Sequence, residues 1–136
     1  MRVYYIFKIK KEFINLYKDA PSSLYNILKS IYYLDKDSVE YGYNMFNQLI
    51  STIDKIKLDR DIYIKLHKDI PYAKENDIHI INNYYKNEIS KLRINNFYMK
   101  LVLNQKDSSF YDILKEKEDN LFVCNFKNTD FFFLKN

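Results

Sequence analysis

Few residues in this 136-residue chain have the chemistry of a catalyst. Its histidines are His67 and His79, and its one cysteine is Cys124. Two imidazoles and one thiol do not have the spacing of a zinc site. His79 falls in a strand-like run and His67 in a stretch of mixed pattern, so each reads as an ordinary surface or half-buried histidine. Cys124 lies in the most apolar run of the chain, where a thiol is inert packing. Glu116 and Glu118 are two apart at the end of an expected helix and point to different faces. Between Lys115 and Lys117 they read as a solvated charge run rather than an acid/base pair. The single glycine, Gly42, rules out a glycine-rich phosphate loop and a dinucleotide fingerprint. The expectation is a protein that is not an enzyme, with no cofactor and no metal.

What the chain has in abundance is aromatic side chains, 14 Tyr and 10 Phe. Tyr supplies contact area at low entropy cost and keeps a polar handle, which suits interfaces. The amino end uses this composition distinctly. Val3 to Ile9 is a β-branched and aromatic run that reads as a strand. Lys10 to Tyr17 follows without turn residues and switches to helical spacing, with Phe13, Leu16 and Tyr17 on one face. So short a helix cannot sink three large apolar side chains fully, so part of that face is available to a partner.

Other elements must hold this segment. Pro21 suits the first turn of a second helix, with Leu24, Ile27, Leu28 and Ile31 as its buried stripe. Asp37 to Glu40 has the spacing of a capping box with Asp37 as cap. The helix it opens carries Gly42, Met45, Phe46, Leu49, Ile50 and Ile53 on one side. Residues 54 to 76 fit both periods, and a short helix over 59–68 is the preferred reading, ended by Pro71. Period-two runs over 78–84, 89–94 and 97–103 predict three strands. Asp107-Ser108-Ser109 caps a further helix. Leu121–Phe126 and Phe131–Leu134 close the chain as a hairpin. The order is β-α-α-α-β-β-β-α-β-β, which is α+β: one domain over 1–136, with a single, mostly antiparallel sheet and helices on one face.

The formal net charge is +4. Nineteen of the twenty-two basic residues are Lys, scattered among eighteen acids, whereas base-edge and bidentate phosphate readers favour Arg. Lys, Asn, Ile, Tyr and Phe dominate and Gly, Ala, Pro and Trp are scarce, which implies an A/T-rich genome. The charge is therefore read as codon bias on a solvated surface, and no direct nucleic-acid contact is expected. A lone cysteine fits a reducing compartment. The apolar start ends at Lys8, too early for a signal peptide, and no window has the roughly 20 apolar residues of a membrane span. A cytoplasmic protein is expected.

The opening, Val3-Tyr4-Tyr5-Ile6-Phe7-Lys8-Ile9-Lys10-Lys11-Glu12-Phe13 with Tyr17 one turn on, resembles that of the SirA family, sporulation inhibitors of replication in endospore-forming Firmicutes. The close, Leu121 to Asn128 then Phe131 to Asn136, is similar to that family's terminal hairpin, though the family continues with a short Pro-containing extension. The resemblance implies a non-catalytic inhibitor that binds the N-terminal domain of the replication initiator DnaA. It implies a monomer when free and a heterodimer with the partner, without a membrane. The family's partner residues fall here on Phe13 and Tyr17, flanked by Asn47 and Gln48. The rival readings are a small basic nucleic-acid-binding protein and a viral modulator of host signalling.

Overall fold

A computed structural model describes residues 1–34 and 36–135. Strand β1 (Arg2–Lys8) leads into helices α1 (Lys11–Tyr17), α2 (Pro21–Tyr32), α3 (Val39–Leu49) and α4 (Lys55–Leu66). Strands β2 (Tyr72–Glu75), β3 (Ile78–Asn83), β4 (Glu88–Ile94) and β5 (Met99–Leu103) follow, then helix α5 (Phe110–Lys117) and the hairpin β6 (Leu121–Asn125) and β7 (Asp130–Leu134). All seven strands form one antiparallel sheet in the order β2-β3-β4-β5-β1-β6-β7. The α+β class and the element order follow the expectation from sequence. The stretch of mixed pattern resolves into α4 and the edge strand β2. The expected closing residue, Asn136, lies outside the described residues.

The amino-terminal strand occupies the middle of the sheet. β1 pairs with β5 on one side, Tyr4 opposite Leu101, and with β6 on the other, Phe7 opposite Phe122. Its alternation divides the protein's interior. Tyr4 and Ile6 enter a core formed with α4 and α5, including Leu58, Ile62, Phe110 and Leu114. Phe7 and Ile9 enter a second core with Leu24, Tyr25, Leu28 and Leu49 of α2 and α3. β6 divides in the same way, Leu121 and Val123 to the first core, Phe122 and Cys124 to the second. The helices therefore lie on both faces, which corrects the one-sided arrangement read from sequence. A near-continuous apolar strand is the mark of a sheet buried on both sides. The second layer is only half as wide as the sheet. It covers β1, β6 and β7, whereas Lys91, Arg93 and Lys100 on the same face of β4 and β5 are exposed.

Two helix starts differ from the sequence reading. A 3₁₀ turn, Lys36–Ser38, precedes α3, whose cap position is Ser38, without a side-chain cap bond. Asp37 therefore does not cap it. The side-chain cap is found instead on α4, where Asp54 accepts from the Lys57 amide at 3.1 Å. The start of α5 is capped from outside. Glu88 of β4, buried in the sheet, accepts from the Ser109 amide at 2.9 Å and from the hydroxyls of Ser90, Ser108 and Ser109. Ser108 in turn accepts from the Phe110 amide at 3.2 Å. A carboxylate at a helix start meets unpaired amides and the positive end of the helix dipole.

Burial alone would raise the Glu88 pKa, but the Ser109, Ser90 and Ser108 donors outweigh it and hold the carboxyl below its usual range. Its stabilising contribution is thus complete above the ordinary Glu pKa of about 4.3 and is lost as pH falls through the lower folded value. Glu88→Gln should cost about 2 kcal/mol at neutral pH and flatten the acid limb of the stability curve. Denaturant unfolding between about pH 5 and 3 measures this, and equal slopes for the two proteins would contradict it.

Candidate partner-binding site

Helix α1 is held at its root and open along its length. The Ile9 amide donates to the Asn120 carbonyl at 2.9 Å, the Lys10 amide to Leu49 at 2.9 Å, and the Ser51 amide to Lys8 at 2.7 Å. The start of α1 is thereby fixed between β6 and the end of α3. The helix stops after two turns, and Ala20, before Pro21, lies outside the helical region at φ −139° and ψ 58°. None of its seven residues is buried. Phe13, Ile14 and Tyr17 are half-buried against the second core, while Leu16 is 63% exposed. The inward set is thus Phe13, Ile14 and Tyr17, and Leu16 does not share their face as the spacing suggested. On one flank Lys11, Ile14 and Lys18 line a cleft with Glu118 and Phe133.

The last turn of α3 carries the other two expected residues. Asn47 is half-buried and Gln48 exposed, immediately before the Leu49 carbonyl that holds Lys10. The backbone thus brings both helices carrying these four residues to one junction. Beside it lies a groove of about 390 Å³, lined by Phe46, Asn47, Tyr43 and Phe97. Phe97 precedes β5 instead of lying in it and is 44% exposed. The groove was not visible in the sequence, because it joins α3 to the β4–β5 turn across a long stretch of chain. The only local hint was Phe46 on the edge of the α3 stripe.

The polar residues singled out for chemistry are placed as follows. His79 is completely buried, not half-buried. Its Nδ1 lies 2.7 Å from the Tyr72 hydroxyl and its Nε2 2.7 Å from Asp59 Oδ1. Desolvation lowers the His79 pKa against the opposing pull of Asp59, so a neutral ring donates to Asp59 and accepts from Tyr72. Burial pushes the Tyr72 hydroxyl up to about 12. With no exposed ring atom, the chain Tyr72–His79–Asp59 ties β2 and β3 to α4. His67 is exposed and stacks on Tyr63. Cys124 is sealed, and desolvation raises its thiol far above the usual range. Glu116 pairs with Lys65 at 2.9 Å, and Glu118 with Lys8. Among the described residues no three His, Cys, Asp or Glu are placed to hold a metal ion, and no helix is long and apolar enough to cross a membrane.

The geometry defines an α+β sheet protein that exposes a short, half-sunk aromatic helix and carries an apolar groove beside α3. The chain belongs to the SirA family, sporulation inhibitors of replication, whose profile matches residues 2–136. A comparison with curated proteins finds no match. The family match extends the likeness seen at the two ends over essentially the whole chain, and the family is one of regulators.

The placement of α1 has a direct test in stability. Leu16→Lys should change unfolding free energy by no more than about 0.5 kcal/mol, because the side chain is largely in water and both residues favour helix. Phe13→Ala should cost about 1–2 kcal/mol, less than the 3–5 of a fully buried ring. Chemical denaturation of both variants checks this, and the reverse ranking would show α1 to be rotated.

Proposed function

We propose that this chain inhibits the initiation of DNA replication by occupying a surface of the N-terminal domain of DnaA, with no chemistry of its own. Phe13 and Tyr17 of α1 anchor the contact, and Asn47 and Gln48 of α3 flank it. The single observation that carries the reading is a helix of a replication-inhibitor family protein with no buried residue and a large aliphatic side chain in water. Leaving such a face in water forgoes roughly 25 cal/mol for each Å² of apolar surface, which a partner groove recovers. Half-buried rings suit this role, since the core fixes their rotamers before contact and little entropy is lost on binding. The action belongs in the cytoplasm, where the initiator works, and the free protein is a monomer that forms a heterodimer with its target.

Calorimetric titration of the isolated DnaA N-terminal domain into the full chain tests the reading. The unaltered chain should bind at micromolar concentrations or tighter. A Phe13→Ala/Tyr17→Ala double variant should lose at least about thirtyfold, equivalent to one anchor of 2 kcal/mol. Leu16→Lys, which leaves the core untouched, should weaken binding as well. Absence of binding at tens of micromolar, or full binding by both variants, would overturn the proposal.

A further inference from the structure

The bare half of the second sheet face gathers charges that are dispersed in the sequence. Strand register sets two rows across it. Ala73, Ile80, Lys91, Val102 and Val3 stand opposite one another in turn, as do Glu75, Ile78, Arg93, Lys100 and Tyr5. Arg93 therefore faces Lys100 directly across a strand pair, and Lys91 shares their face two residues along. Like charges directly opposite cost stability. Arg93 is partly relieved by Asp77 at 3.2 Å, on the rim of the face. Among the described residues neither Lys91 nor Lys100 has a carboxylate partner. Between these cations lie Ile78, Ile80 and Val102, half-exposed with no helix above them.

The face continues into a cleft of about 270 Å³ beyond Lys100, where Arg2 and Lys127 stand with Tyr5, Tyr32 and Tyr33. No acidic residue among those described lines it. Tyr32 and Tyr33 are half exposed or more, and Tyr32 is fixed by Tyr5 at 5.4 Å and Phe126 at 4.7 Å between ring centres. Five cations with apolar ribs and aromatic rings between them have the make-up of a single-strand platform, on which phosphates meet the cations and bases stack on the rings.

We propose that this uncovered half-sheet and its tyrosine cleft bind single-stranded DNA, independently of α1, against the expectation drawn from charges that are scattered in sequence but gathered by strand register. A polyanion matches the mutually repelling cations of neighbouring strands. A flat sheet presents area to unstacked bases but cannot enter a groove, so a duplex would meet it through phosphates alone. The replication role of the family makes DNA the polymer at hand.

Fluorescence anisotropy of the full chain with labelled oligo-dT of about 15 nucleotides tests this. Binding should appear at low salt, with log K falling against log salt at a slope of about −3 for four to five phosphate contacts on a single strand. Lys91→Gln/Arg93→Gln/Lys100→Gln, all exposed and outside both cores, should weaken binding at least tenfold and make the slope shallower by about 2. Lys57→Gln/Lys68→Gln/Lys117→Gln, on and beside the helices of the opposite face, removes the same charge and should leave most of the binding. Each of three results would overturn the proposal: no binding at low salt, equal losses in both triple variants, or equal or tighter binding of duplex DNA, oligo-U or poly-glutamate.

Discussion

The structure depends on β1 being buried on both faces at once. A strand in the middle of an antiparallel sheet has its backbone groups satisfied by two neighbours, here β5 and β6. Its side chains then have to be apolar in both directions, and Tyr4, Ile6 and Phe7, with Ile9 just past the strand, meet that demand. Each such side chain taken from water contributes roughly 1.5–3 kcal/mol, so the strand is fixed from both sides. Two separate cores follow, one under α4 and α5, the other under α1 to α3. The same ladder places the root of α1, because Lys8, Ile9 and Lys10 leave the sheet already bonded to Ser51, Asn120 and Leu49.

This root explains how so short a helix holds a fixed position. Seven residues are too few for a helix to be stable alone in water. α1 has no buried residue and no side-chain cap. It is ordered because three backbone bonds fix its entry and because Phe13, Ile14 and Tyr17 lie against a core built by other elements. The proposed function uses that economy. The elements behind the helix carry the stability, and its outer side remains open to recognition.

Much of this was legible in the sequence. The strand-to-helix switch at Lys10, the stripe of α2 beginning at Pro21, and the terminal hairpin all carry strong local signals. Helix α4 was blurred because Ile62, Ile64 and Leu66 satisfy both periods and its cap, Asp54, lacks the box spacing, whereas the box-like Asp37 leaves α3 uncapped. The unbroken apolar run of β6 already implied helices on both faces. The features that sequence concealed are those made by distant partners. Glu88 caps a helix that begins more than twenty residues later, His79 closes a relay to Asp59, and Lys91, Arg93 and Lys100 meet only through strand register.

The open side of α1 and the last turn of α3 form the proposed surface through which this protein acts. Backbone amide shifts of the isotope-labelled chain, followed while the unlabelled N-terminal domain of DnaA is added, test it most directly. The largest changes should fall at residues 12–18 and 46–49, with β2 to β4 unmoved. Changes confined to the β2–β5 half of the sheet, or to the exposed Tyr84–Tyr85 turn, would contradict it.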